Sequence, residues 1–188
     1  NIYMKKGFYD SAESVLIDVL DRKPKDARAN YFLSELYLKE GNYKKAIDGF
    51  LEVISSDNNE EYLYKALSGL GYSYFKLGDY ENALKYAKKA ISYAPDKGDG
   101  YFVLGKIYIK LGDYGKAIEV LKKAFLLFSD DKKKSEVDTF LGISYFRLGE
   151  YTKAMQFFNE ALTLNPENET ARINLDITRK AIKEEIVR

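Results

Sequence analysis

Leu104-Gly105-Lys106-Ile107-Tyr108-Ile109-Lys110-Leu111-Gly112-Asp113-Tyr114-Gly115-Lys116-Ala117 is the stretch that decides the fold. Its first half sets Leu104, Ile107, Tyr108 and Leu111 at the i, i+3, i+4, i+7 spacing of one helical stripe. Gly112 suits the left-handed residue that ends a helix, and Asp113 suits the N-cap of the next. A second stripe follows in Ala117, Leu121 and Ala124. The stretch predicts two helices joined by a tight turn, with Gly105 and Ala117 placed where their backbones approach closely.

The same phrase recurs outward in both directions. Glycines stand at Gly7, Gly41, Gly78, Gly112 and Gly149, separated by 34, 37, 34 and 37 residues. Each is followed two residues later by Tyr9, Tyr43, Tyr80, Tyr114 or Tyr151, and then by Ala12, Ala46, Ala83, Ala117 or Ala154. Seven residues further on, Val19, Val53, Ala90, Ala124 and Ala161 repeat the small side chain. Upstream of four glycines lie Leu33-Ser34 with Tyr37, Leu70-Gly71 with Tyr74, Leu104-Gly105 with Tyr108, and Leu141-Gly142 with Tyr145. A helix pair of this kind buries its apolar face only against its neighbours, so a period of this length specifies a solenoid. Turns are predicted at all five glycines, with ten or eleven helices and no strand.

The composition narrows the chemistry. Of 188 residues 46% are hydrophobic and 31% charged, enough for both a core and solubility. The formal net charge is +1, which gives no global signature of nucleic-acid or membrane-surface binding. The chain contains neither Cys nor His. That removes disulfide scaffolds, thiol nucleophiles, zinc ribbons and the commonest general base and metal ligand. Carboxylate pairs such as Glu60-Glu61 and Asp130-Asp131 fall in turns, and Gly98-Asp99-Gly100 is not followed by the Gly-Lys-Ser/Thr of a phosphate loop. We expect no catalysis, no cofactor and no metal. No apolar run reaches the ~18–20 residues that span a bilayer, and no signal peptide precedes the first repeat, so no membrane insertion is expected; the sequence leaves the compartment open, with a slight preference for the cytoplasm.

These residues resemble the tetratricopeptide repeat family over nearly the whole chain, through the pattern W-x2-L-G-x2-Y…A-x3-F…P. The Trp position holds Asn30, Leu67, Tyr101 and Asp138; the closing Pro is present as Pro24, Pro95 and Pro166, with Asn58 and Ser129 in the other two units. Those two units are the 37-residue ones, and their extra residues, in 55–60 and 129–134, are read as longer inter-repeat turns. Pentatricopeptide repeats share the length but not this Gly/Ala/Pro set. The resemblance implies an all-α, right-handed superhelical solenoid of antiparallel helix pairs. Residues 1–26 form a partial first repeat, mainly its second helix. Full repeats occupy 27–63, 64–97, 98–134 and 135–168, and 169–188 is a C-terminal capping helix. In that helix Ala171, Leu175, Ile182 and Ile186 make the packing stripe, while Arg172, Arg179, Lys180, Lys183 and Glu184 face solvent and Asp176 takes the close-packing position. The chain opens inside a repeat, so self-association is expected through the region of Phe8, Val15 and Val19.

The resemblance also puts the first helix of each unit on the concave face. The groove then presents Arg28, Tyr31, Phe32, Glu35, Leu38 and Lys39; Lys65, Ser68, Tyr72, Phe75 and Lys76; Asp99, Phe102, Val103, Lys106, Ile109 and Lys110; and Glu136, Thr139, Phe140, Ile143, Phe146 and Arg147. Seven cations face three carboxylates, an excess that favours an acidic or apolar-acidic partner. The site residues expected to carry partner binding are Arg28, Tyr31, Phe32, Glu35, Lys39, Lys65, Tyr72, Lys76, Phe102, Lys106, Lys110, Phe140 and Arg147. The Lys39, Lys76, Lys110 and Arg147 position admits a second reading, solvation of a helix end against its dipole. The aromatic positions are either binding anchors or inter-repeat packing. Family members that grip the C-terminal carboxylate of heat-shock chaperones use Lys and Asn on the first repeat, Asn on the second, and Lys and Arg on the third. Here those positions hold Tyr31 and Glu35, Gly69, and Asp99 and Val103, so that clamp is absent. The expected function is a scaffold or adaptor for a protein or peptide partner, either independently or as the targeting module of a larger, catalytic protein, with no nucleic-acid partner.

Overall fold

The computed structural model describes residues 2–56 and 60–186, with side chains from Tyr9 to Ser56 and from Glu60 to Glu184. The described residues contain ten α-helices and no strand. The chain forms two compact units, Asn1–Ala94 and Pro95–Arg188. The first holds α1 (Ile2–Arg22), α2 (Ala27–Glu40), α3 (Tyr43–Ser55), α4 (Glu60–Leu77) and α5 (Tyr80–Tyr93). The second holds α6 (Gly98–Leu111), α7 (Tyr114–Leu127), α8 (Asp131–Arg147), α9 (Tyr151–Leu164) and α10 (Glu169–Ile186). Within each unit consecutive helices pack on one another, and α2 also meets α4 as α8 meets α6 and α10.

Four of the five predicted turns form, and their chemistry is common to all. Gly41, Gly78, Gly112 and Gly149 adopt φ of 77°, 82°, 81° and 77°, the left-handed region that a side chain would strain. The next residue's N–H then donates to the carbonyl of the tyrosine five residues back: Asn42 to Tyr37 (2.8 Å), Asp79 to Tyr74 (3.0 Å), Asp113 to Tyr108 (2.9 Å) and Glu150 to Tyr145 (2.9 Å). That is the six-to-one bond of a Schellman turn, which satisfies a carbonyl left over at the helix end. Asn42, Asp79 and Asp113 also accept backbone N–H bonds from Lys45, Asn82 and Lys116, opening the second helix. The turn predicted at Gly7 does not form, since α1 runs through it. In sequence, Phe8 stands where the other units carry Asn, Asp or Glu, and its side chain lies outside the described residues.

The extra length of the 37-residue units is also not where the sequence reading placed it. It lengthens helices rather than turns. Asp130 caps α8, its carboxylate accepting the Lys133 N–H at 2.8 Å, and α8 runs for 17 residues against 14 for α6. Helix α4 likewise runs for 18. Neither unit has the proline that halts the chain elsewhere, so helical hydrogen bonding extends backwards. Residue 58 and its neighbours 57 and 59 lie outside the described residues.

The core follows the repeat. Ala46, Ala83, Ala117, Ala154, Phe50, Leu121 and Phe158 are fully buried. A Cβ on Gly105 would sit 2.5 Å from Leu121 Cγ, and one on Gly142 2.5 Å from Phe158 Cε1, so a methyl group has no room where these helices cross. The repeat tyrosines pack under cations one position before the small alanine: Lys45 Nζ lies 4.8 Å from the Tyr37 ring, Lys116 5.7 Å from Tyr108, and Lys153 5.3 Å from Tyr145. Where that position is Asn82, Tyr74 instead stacks on Tyr86 at 5.5 Å.

Candidate functional site

In the first unit α2 and α4 bring four of the expected residues, Arg28, Tyr31, Phe32 and Lys65, together around an aromatic cluster. The Tyr31 and Phe32 rings lie 5.4 Å apart, and Tyr62 of α4 packs 5.1 Å from Tyr31 and 6.1 Å from Phe32. Lys65 Nζ sits over Tyr31 at 5.8 Å and Tyr62 at 5.4 Å, while the Arg28 guanidinium lies 5.9 Å from the Phe32 ring. Phe32 is 44% exposed even though it belongs to the cluster. Burial, followed by the neighbouring Glu61 carboxylate, raises the Tyr62 phenol above its ordinary value, and the Arg28 charge opposes that rise. Glu35 is half-buried, and Lys39 is exposed in the last turn of α2. Tyr72 packs 6.3 Å from Phe75, and Lys76 leans 5.6 Å over Tyr43 of α3.

In the second unit α6 and α8 make the equivalent cluster. Phe102 and Phe140 meet edge to face at 5.5 Å, and Lys106 Nζ stands 4.9 Å from both rings. Phe128, the buried residue that ends α7, closes the cluster 6.2 Å from Phe102. Lys133, from the added turn of α8, bonds Asp99 at 2.8 Å and covers Phe128 at 4.8 Å. Lys110 and Arg147 are exposed in the last turns of α6 and α8. A cleft of about 400 Å³ between α8 and the start of α10 is lined by Glu136, Glu167, Glu169 and Phe140, among others.

Three positions expected on the groove surface are inside instead. Ser68, Val103 and Thr139 are 6%, 7% and 2% exposed. Thr139 is held by hydrogen bonds: its hydroxyl donates to the Ser135 carbonyl at 2.7 Å and accepts from Asn168 Nδ2 at 2.9 Å. Asn168 also donates to Ser135 Oγ at 2.8 Å and accepts the Ala171 N–H at 3.0 Å, fastening the start of α10 to α8. In α10 the packing stripe is as expected for Ala171 and Leu175, which are buried, and Ile182, which is half-buried; Ile186 lies outside the described side chains. The sequence reading missed Ile173 and Ile177, which are 59% and 46% exposed on the face it assigned to charge. A signal was available. Ile173 follows Pro166 by the interval that separates Tyr31 from Pro24 and Phe102 from Pro95, and Ile177 matches Glu35 and Lys106 in the same way. It also missed Tyr62, Phe128 and Lys133, each brought in from another helix or turn.

The charge excess divides unevenly. Of the expected groove residues, the first unit has Arg28, Lys39, Lys65 and Lys76 with one carboxylate, Glu35, whereas the second has Lys106, Lys110 and Arg147 with Asp99 and Glu136, beside Glu167 and Glu169. Among the described residues no group of three His, Cys, Asp or Glu is placed to hold a metal ion, and no helix is long and apolar enough to cross a membrane.

Comparison with known proteins gives the arrangement its family. Models described as tetratricopeptide repeat match residues 1–60, 74–133 and 139–168, together most of the chain. No curated protein matches it in sequence. Among solved structures, a chain of the APC/C hetero-tetramer Cut9-Hcn1 superposes with a TM-score of 0.85 at 18% identity, covering 96% of this chain; this chain spans only 35% of that one. TTC0263, a thermophilic TPR protein of Thermus thermophilus, gives 0.76 at 24% identity, covering 94% of this chain and 93% of its own. The second TPR domain of human RPAP3, in complex with the HSP70 peptide SGPTIEEVD, gives 0.53 at 26% identity over 58% of this chain and 88% of its own. The chain belongs to the tetratricopeptide repeat family and has the all-α fold of its protein–protein interaction modules.

Proposed function

We propose that the faces formed by α2 with α4, and by α6 with α8 and α10, each take a segment of a partner protein through aromatic anchors flanked by cations. The observation that carries this is the placement of Lys106 equidistant from Phe102 and Phe140. An ammonium group above two rings offers a carboxylate a charge while the ring edges offer apolar contact. Exposed Ile173 and Ile177 extend the apolar surface onto α10. The peptide in the RPAP3 complex, SGPTIEEVD, combines apolar and acidic residues, in keeping with a preference of that kind. With a net charge of +1 the chain is read as a protein binder rather than a nucleic-acid binder, and as an adaptor without catalysis of its own. Its short span of the Cut9-Hcn1 chain favours, as a second reading, a module within a larger protein.

The test is capture of partners on the immobilised chain, comparing wild type with Lys106→Glu and with Lys76→Glu/Lys110→Glu. Binding that weakens with Lys106→Glu, and with salt on the scale of a ~8–10 Å screening length, supports the reading. Equal capture by all three chains refutes it. Weakening by Lys106→Glu alone would reduce Lys76 and Lys110 to helix-end solvation.

A further inference from the structure

The turn between α1 and α2 is rich in cations, whereas the α9–α10 turn, which precedes the last helix of the second unit, is rich in carboxylates. It borders a cavity of about 670 Å³, within the range of ligand-sized pockets, lined by Lys23, Lys25 and Arg28 with Tyr62 of α4. Its carboxylate, Asp26, is already engaged, accepting the Ala29 N–H at 2.8 Å as the N-cap of α2. The start of that helix is therefore satisfied internally, and what remains to attract a ligand is the side-chain charge. None of the three cations forms an ion pair among the described residues, and all three are exposed. Directly beside them Arg28 leads onto the ring of the exposed Phe32. The equivalent turn of the second unit reads Pro166-Glu167-Asn168-Glu169-Thr170 against Pro24-Lys25-Asp26-Ala27-Arg28, and its cleft carries Glu136, Glu167 and Glu169. The α1–α2 and α9–α10 turns thus have opposite polarity at the same place in the repeat.

We propose that the α1–α2 turn pocket is a binding site for the acidic side chains of a partner peptide, with an apolar or aromatic residue of that peptide seated on Phe32. This rests on the reading of the inner faces as partner-binding and adds which unit selects for negative charge. Two exposed lysines and an arginine tolerate variable carboxylate placement, whereas Phe32 and Tyr62 fix where the apolar residue lands. The site selects composition with a single positional anchor.

The test is selection from a displayed library of random twelve-residue peptides on the whole chain, using wild type, Lys25→Glu/Arg28→Glu and Lys106→Glu. The substituted side chains at 25 and 28 are exposed, so unfolding is not expected, and circular dichroism checks it. Wild type should enrich peptides with acidic residues next to an apolar one. Lys25→Glu/Arg28→Glu should lower their affinity by about tenfold or turn the enrichment toward basic sequences, while Lys106→Glu removes only peptides held by the second unit and leaves those held at this turn. Selected peptides, resynthesised with amidated C-termini, should bind as before, which assigns the carboxylates to side chains. The proposal is overturned if Lys25→Glu/Arg28→Glu enriches the same peptides as wild type. It is equally overturned if binding needs a free C-terminus, or if millimolar inorganic phosphate or an RNA oligonucleotide displaces every acidic peptide. A shift with Lys106→Glu alone would sink this proposal and spare the inner-face reading, whereas no enrichment by any chain would sink both.

Discussion

Asp138 gives the sharpest test of how a buried position is tuned in this array. It occupies the place where Asn30 donates to the Pro24 carbonyl at 3.0 Å and Tyr101 to the Pro95 carbonyl at 3.4 Å. Its unit lacks that proline, and the carboxyl is only 3% exposed. Burial, and then the Glu160 carboxylate on α9, push its pKa up to about 7, with Lys134 opposing. The folded chain therefore holds this proton more tightly than the unfolded chain, whose carboxyl titrates near 3.8. The stabilising effect of that proton is complete below about pH 4, declines as pH rises, and is gone once pH passes 7. A displacement of roughly three pH units at ~1.4 kcal/mol each sets a ceiling of ~4 kcal/mol. Relaxation around the charged carboxylate lowers what is measured, and we expect about 2 kcal/mol. Asp138→Asn keeps the shape and stays neutral throughout. Urea unfolding at pH 4.5 and pH 8 should give similar stabilities for the two chains at the lower pH and a variant more stable by about 2 kcal/mol at the higher. A difference independent of pH would refute the assignment, because all other groups titrate alike in both chains.

Gly142→Ala and Ala117→Leu should each destabilise by roughly 1–3 kcal/mol, read from urea midpoints, since the added atoms meet fully buried neighbours. Asn168→Asp keeps the acceptor for Ala171 N–H but loses the donors to Ser135 and Thr139; a loss of about 1–3 kcal/mol is expected, with faster hydrogen exchange in α10. Tyr37 donates to Glu13 at 2.8 Å, a tie between α2 and α1, and Glu13→Ala should cost about 1 kcal/mol and loosen α1 in the same exchange measurement. Lys76→Glu/Lys110→Glu should leave stability within about 0.5 kcal/mol, so any change in partner binding is separable from folding.

The repeat was legible because every formed turn has a glycine for the left-handed backbone, and three of the four add a capping side chain, Asn42, Asp79 or Asp113, directly after it. Gly7 misled because a glycine permits the left-handed turn without compelling it, and α1 runs straight through. The lengths of α4 and α8 were misplaced for a related reason: a longer period shows that residues were added but not whether they hydrogen-bond as helix. The inner faces were legible in phase and less so in burial. Tyr31, Ser68, Phe102 and Thr139 share one register, yet two are buried, because exposure depends on what the neighbouring helix brings. Lys133, Phe128 and Tyr62 reach the clusters from other helices and turns, a closeness that no helical period encodes. Ile173 and Ile177 were within reach of the same count from proline and were obscured by the charged Arg172, Asp176 and Arg179 around them.

The added turn of α8 has a consequence for how such an array changes over time. Every packed position in its unit is referenced to the glycine turn downstream, so residues inserted ahead of the helix leave that register untouched. They raise the wall at one edge, and here the new turn delivers Lys133 to Asp99 and Phe128. Insertions there are a route to remodelling the rim one helical turn at a time, while the buried contacts that hold neighbouring helices together stay as they are. A mutation that adds three residues after Gly149 would have no such shelter.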